Sequence, residues 1–181
     1  MRFENEKTNE KPPVLYHGTT LSEIEEFVPQ NKHVRDEKEG KLFFATPDKA
    51  FATTFLSPRP DDTWSIRGKY NGIYYIVIAD EERFRKGDGG GMLYEFPSDQ
   101  FECDNTKSMR DAEWHTREKI KPIHVNAYSS TLDAMIKNHV QVYFVDKEIF
   151  EKIKESDDHG ISMLQNIKSE NQKRGESIME S

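Results

Sequence analysis

Cysteine is almost missing from this chain, with Cys103 the only one in 181 residues. A single thiol forms no intrachain disulfide and no thiolate metal cluster, and the acidic neighbours Glu102 and Asp104 disfavour a reactive thiolate. The expected compartment is therefore a reducing cytoplasm. Long apolar runs are missing too: the longest, residues 73–79, falls far short of the roughly 20 residues that a membrane-spanning helix needs, so no membrane partner is expected. The opening Met1-Arg2-Phe3-Glu4-Asn5-Glu6-Lys7 lacks the apolar centre of a secretory signal. Positive charge is in deficit, 26 Lys and Arg against 33 Asp and Glu for a net charge of -7 and a pI near 5.4. That balance argues against general binding to a phosphate backbone, and a protein partner is expected before a nucleic acid. The run Gly87-Asp88-Gly89-Gly90-Gly91 lacks the Lys-Ser/Thr of a phosphate loop and reads as a flexible turn. His115 and His124 stand apart from other ligand types, so no metal is expected, and no nucleophile elbow is present.

Charged residues make up 33% and hydrophobic residues 34%, so the apolar residues that build a core must be concentrated in a few segments. The length suits one domain. Residues 1–12 read as a polar lead-in, 13–154 as the domain, and 155–181 as a frayed helix or disordered tail. Within the domain, Val14-Leu15-Tyr16-His17 follows Pro12-Pro13 as a strand. Residues 21–28 carry Leu21, Ile24, Phe27 and Val28 at helical spacing, and Pro29 stops them. Residues 30–41 form a polar loop, and 42–45 a short buried strand. A helix then follows with Thr46 as its cap and Pro47 in its first turn.

Residues 57–69 have the composition of a loop. The run Ile73-Tyr74-Tyr75-Ile76-Val77-Ile78 shows no polar alternation, the pattern of a strand covered on both faces. Further strands are expected over 92–96 and 140–145, extended chain from Glu113 to Val125, a helix over 127–139 and a short helix through Ile149, Phe150 and Ile153. Strands clustering in the second half point to α+β architecture with a mostly antiparallel sheet.

Three segments carry candidate chemistry. In Tyr16-His17-Gly18-Thr19 a strand gives way to a turn, where backbone groups can meet a ligand and Gly18 permits close approach. A strand-end histidine with a turn glycine is the plain alternative. Phe43, Phe44, Phe51 and Phe55 crowd one strand-helix unit; most serve as core, and one or two could form a slot for a planar ring. Glu113, beside Trp114, could set a carboxylate against a sugar hydroxyl. Taken alone, it is one of 33 acids.

Taken in order, these segments resemble the ADP-ribosyltransferase superfamily, in the His-Tyr-Glu branch shared by poly-ADP-ribose polymerases and diphtheria-type toxins. Val14-Leu15-Tyr16-His17-Gly18-Thr19 is similar to the family's histidine strand. Gly40-Lys41-Leu42-Phe43-Phe44-Ala45, continuing to Phe55, is similar to its second motif, with Phe43 where the family has tyrosine. Ala112-Glu113-Trp114 resembles the start of its glutamate strand. The resemblance implies a split, mostly antiparallel sheet with flanking helices, NAD as the substrate, and mono-ADP-ribosyl transfer with release of nicotinamide. It makes Glu113 and His17 catalytic, and places His17, Gly18, Thr19, Phe43, Phe44, Ala45 and Phe55 against NAD. The alternatives are NAD hydrolysis, or a non-catalytic NAD- or protein-binding module on the same fold, of bacterial or phage type. RNA 2′-phosphotransferases share a similar His-Gly opening, but their second histidine and paired arginines are not evident here.

Overall fold

The computed structural model describes residues 10–30, 37–56, 64–104, 106 and 112–179. Most of the expected lead-in, and residues 31–36 and 57–63 of the expected loops over 30–41 and 57–69, lie outside the described residues. In chain order the strands are β1 (Val14–Thr19), β2 (Phe43–Ala45), β3 (Ser65–Tyr70), β4 (Ile73–Ile78), β5 (Gly91–Pro97), β6 (Glu102–Cys103), β7 (Trp114–Thr116), β8 (His124–Tyr128) and β9 (Gln141–Phe144). The helices are α1 (Lys49–Thr53), α2 (Glu81–Gly87), α3 (Thr131–Lys137), α4 (Lys147–Glu155), α5 (Ile161–Leu164) and α6 (Glu170–Met179). The architecture is α+β, with three small sheets ordered β1-β5-β8, β2-β7-β6 and β3-β4-β9.

The first two sheets are antiparallel throughout. They join where Tyr16 and Thr46 exchange backbone hydrogen bonds of 2.7 and 2.9 Å, which gives a strand succession β8-β5-β1-β2-β7-β6. In the third sheet β3 and β4 form an antiparallel hairpin and β9 runs parallel to β4. The unpolar run of β4 is explained by cover on both faces. Tyr74, Ile76 and Ile78 pack with Leu132 and Met135 of α3, while Tyr75 and Val77 pack with Phe150 and Ile153 of α4 and Leu164 of α5.

Several expectations are corrected. Residues 21–28 are not helical: Glu23 sits at φ 57, a left-handed conformation that a right-handed helix does not accommodate. Leu21 and Val28 are 64% and 47% exposed, so their spacing serves no buried face. Phe27 instead exchanges backbone hydrogen bonds of 2.8 and 3.0 Å with Ile120. The cap of α1 is Asp48, whose Oδ1 accepts from the Ala50 N–H at 3.0 Å. Thr46 accepts the Asp48 N–H one step earlier, and a carboxylate is the stronger partner for the partial positive charge of a helix start.

Residues 65–70, expected within a loop, form β3. Asn71 and Gly72 have φ of 48° and 80°, the left-handed pair of a two-residue hairpin turn, and the Asn-Gly pair ahead of the apolar β4 is the signal that points to it. Ala127 and Tyr128 end β8, and α3 starts only after its cap Ser130, whose hydroxyl accepts the Asp133 N–H. The polar stretch after Lys154, expected as a frayed helix or disordered tail, forms α5 and α6. Leu164, Ser169 and Glu170 are buried there. Asn171 grips the outer edge of β9, accepting from the Val142 N–H at 3.1 Å and donating to the Val140 carbonyl at 2.9 Å. Among the described residues no helix is long and apolar enough to cross a membrane.

Candidate functional site

The three segments singled out in the sequence lie on neighbouring strands. β1 meets the end of β2 through the Tyr16–Thr46 bridge, and β2 pairs with β7, Phe43 opposite Thr116 and Ala45 opposite Trp114. Glu113 immediately precedes β7 and therefore stands at the same end of the ladder as Thr46. Residues 27 and more positions apart in sequence thus share one junction.

His17 is fixed from two directions. Its Nδ1 lies 2.8 Å from the Phe44 carbonyl oxygen. A carbonyl only accepts, so Nδ1 carries the proton and, in the neutral ring, Nε2 keeps its lone pair. The ring also packs against Phe43 at 4.8 Å between centroids and edge-on to Phe27 at 5.4 Å. Burial pushes the imidazole below the usual histidine range, against the Phe44 hydrogen bond, which favours the charged form. The outcome is a neutral imidazole in one orientation, with Nε2 as an acceptor.

Phe43 is 8% exposed and closed in by Phe27, Phe96 and Phe101 as well as His17. Ala45 belongs to the same buried cluster. Gly18 has a structural reason for being glycine, because a Cβ there would come within 2.1 Å of the Ala52 carbonyl oxygen on α1. Thr19 ends β1 and accepts the Leu21 N–H through its hydroxyl. Phe44 offers its carbonyl to His17 and its ring to His115, 6.1 Å away. Phe55 stands elsewhere: its ring meets Phe51 edge-on and the Arg67 guanidinium, 4.8 Å from its centroid, and it is 42% exposed.

The register also separates two rows of side chains. Tyr16 and Thr46 share one row, which leads on to Glu113, while His17, Ala45 and Trp114 belong to the next. Successive rows of a regular pleat project to opposite faces. Glu113 lies one residue outside the β7 ladder, and its Oε1 is buried.

The Tyr16 row extends the other way into residues the sequence reading missed. Tyr16 is opposite Glu95, and Glu95 opposite His124. Lys49 places its ammonium 4.0 Å from Glu95 Oε1 and 5.8 Å from the centre of the Tyr16 ring. Asn126 donates to the same Glu95 oxygen at 3.1 Å. Burial raises the Tyr16 hydroxyl above its ordinary range, and the Glu95 charge adds to this. A lone acid inside the apolar run Met92-Leu93-Tyr94-Glu95-Phe96 was the available signal. Among the described residues, no group of three or more His, Cys, Asp or Glu is arranged to hold a metal ion. No protein-family model, curated protein or solved structure matches the chain.

Proposed function

We propose that the chain is an NAD-dependent mono-ADP-ribosyltransferase built on an ADP-ribosyltransferase-like split sheet and working in the cytoplasm. The observation that carries this reading is the convergence of the His17, Phe43-Phe44 and Glu113 segments on three adjacent strands, with a neutral His17 whose Nε2 can accept from a ribose hydroxyl. NAD is the substrate, and a protein side chain is the preferred acceptor because the chain is acidic.

In this reading the nicotinamide ribose lies at the end of the β2–β7 ladder. His17 holds one ribose hydroxyl, and Glu113 reaches the nicotinamide-ribose 2′-hydroxyl from the ladder's end rather than across a strand pair. As the glycosidic bond between the ribose anomeric carbon and the nicotinamide nitrogen breaks, nicotinamide leaves as a neutral base and positive charge grows on the sugar. The Glu113 carboxylate stabilises that charge, an electrostatic effect worth about 3 kcal/mol at comparable sites. The acceptor forms the new bond to the anomeric carbon and gives up its proton; with water as acceptor the same step is NAD hydrolysis.

Glu113→Gln should lower turnover by about 100-fold while changing NAD affinity little, since its role belongs to the transition state. Labelled NAD incubated with cell extract measures both transfer and nicotinamide release. Neither product from the unmodified chain, or full turnover in Glu113→Gln, would sink the reading. The burial of Phe43 favours a second reading, a non-catalytic module on the same strands, because a ring enclosed by Phe27, Phe96 and Phe101 serves the core. A rise in melting temperature with saturating NAD, unaccompanied by nicotinamide release, selects that alternative.

A further inference from the structure

A second region has the form of a ligand site and is independent of the reading above. Helices α4 and α5 cover only part of one face of the β3-β4-β9 sheet, and a cavity of about 530 Å³ lies between the uncovered part and α5–α6, within the size range of small-molecule sites. Tyr70, Tyr75 and Tyr143 are among its lining residues. Gly68 makes room for the Tyr75 ring: a Cβ there would come within 2.2 Å of it. The Tyr75 hydroxyl donates to the His159 carbonyl at 3.1 Å, which fixes the ring.

The polar lining is oriented as well. Ser169 donates its backbone N–H to Gln172 Oε1 at 2.9 Å and its hydroxyl to Gln141 Oε1 at 2.8 Å. Both carbonyl oxygens are thereby engaged, and each amide keeps its NH2 group as a donor. No charged side chain lines the cavity among the described residues. A phosphate would require cations, which the described lining lacks. Flat rings with amide donors suit a planar heterocycle carrying carbonyl or ring-nitrogen acceptors.

We propose that this cavity binds an uncharged nucleobase or nucleoside. Adenosine and uridine, titrated separately into the full chain, should give saturable shifts of the glutamine side-chain amide signals in NMR spectra. Tyr70→Ala and Gln165→Ala, both at exposed rim positions, should each weaken binding about fivefold, the equivalent of about 1 kcal/mol, with unchanged melting temperature. His17→Ala and Glu113→Gln should leave binding intact, so failure here and failure at the strand junction are read separately. Three results would overturn the proposal: no saturation by either nucleoside at millimolar concentration, tighter binding of a methyl glucoside than of both nucleosides, or loss of binding in the His17 or Glu113 variants.

Discussion

β4 and β2 are both short internal strands, yet they are covered in different ways. β4 lies between α3 on one face and α4 with α5 on the other, and Ile76, Val77 and Ile78 are fully buried. β2 has three residues, and its Phe43 is covered by Phe27 and Phe101 from irregular chain together with Phe96 of β5. Helical cover supplies a continuous apolar face. Irregular cover is less uniformly apolar, and on this side the His17 ring of β1 bonds the Phe44 carbonyl of β2. The candidate chemistry therefore sits on the half of the molecule with the less regular cover.

The largest test of this contrast is whether the halves fold as one. Phe96→Ala on the β1–β5 side should cost about 3–5 kcal/mol and Ile76→Ala in β4 about 2–5 kcal/mol. Each should lower one common transition in urea, and two separate transitions would show that the halves are energetically independent. Next comes the link between them at Asp88. Its carboxylate accepts from the Gly90 N–H, the Ser130 hydroxyl and the Leu132 and Thr131 N–H groups, tying the start of β5 to the start of α3. Asp88→Asn should lower stability by about 1–2 kcal/mol, solvent screening keeping it below the upper range for charged acceptors.

Acid should separate the two regions by pH window. Burial favours neutral His17, so the unfolded state binds a proton that the folded state resists; stability should be complete above about pH 6.5, the ordinary histidine value, and fall as pH drops below it. At Asp88 burial raises the carboxyl pKa, but its four hydrogen bonds outweigh this and hold it below the ordinary 3.8. Its contribution should persist above that value and disappear as pH falls through the lowered one. Urea midpoints measured from pH 8 to pH 3 should show two successive losses; a flat profile between pH 7 and pH 5 would contradict a neutral buried His17. The smallest effect is expected at the β9 edge, where Asn171→Ala should cost about 1 kcal/mol and increase aggregation on heating, as light scattering would record.

The same contrast explains what could be read from the sequence. β4 was legible because cover on both faces writes itself as an unbroken apolar run. The α1 helix was legible in type but not in cap, since Thr46 and Asp48 are both good caps and only geometry decides between them. The segment around Phe27 misleads because its apolar spacing imitates a helix while its fold depends on a pairing with Ile120, 93 positions away. β3 is hard to read because its polar residues mask an Asn-Gly hairpin signal. At the junction, the adjacency of β1, β2 and β7 follows the order of the motifs. The division of His17 and Glu113 between successive rows does not, because it is set by a register that sequence order cannot specify.

The grip of Asn171 on β9 makes one side-chain amide the stand-in for a missing tenth strand. Hydrolysis of that amide to a carboxylate would replace the group that donates to the Val140 carbonyl with an oxygen that repels it. The sheet edge would then pass from protected to open with no loss of apolar packing.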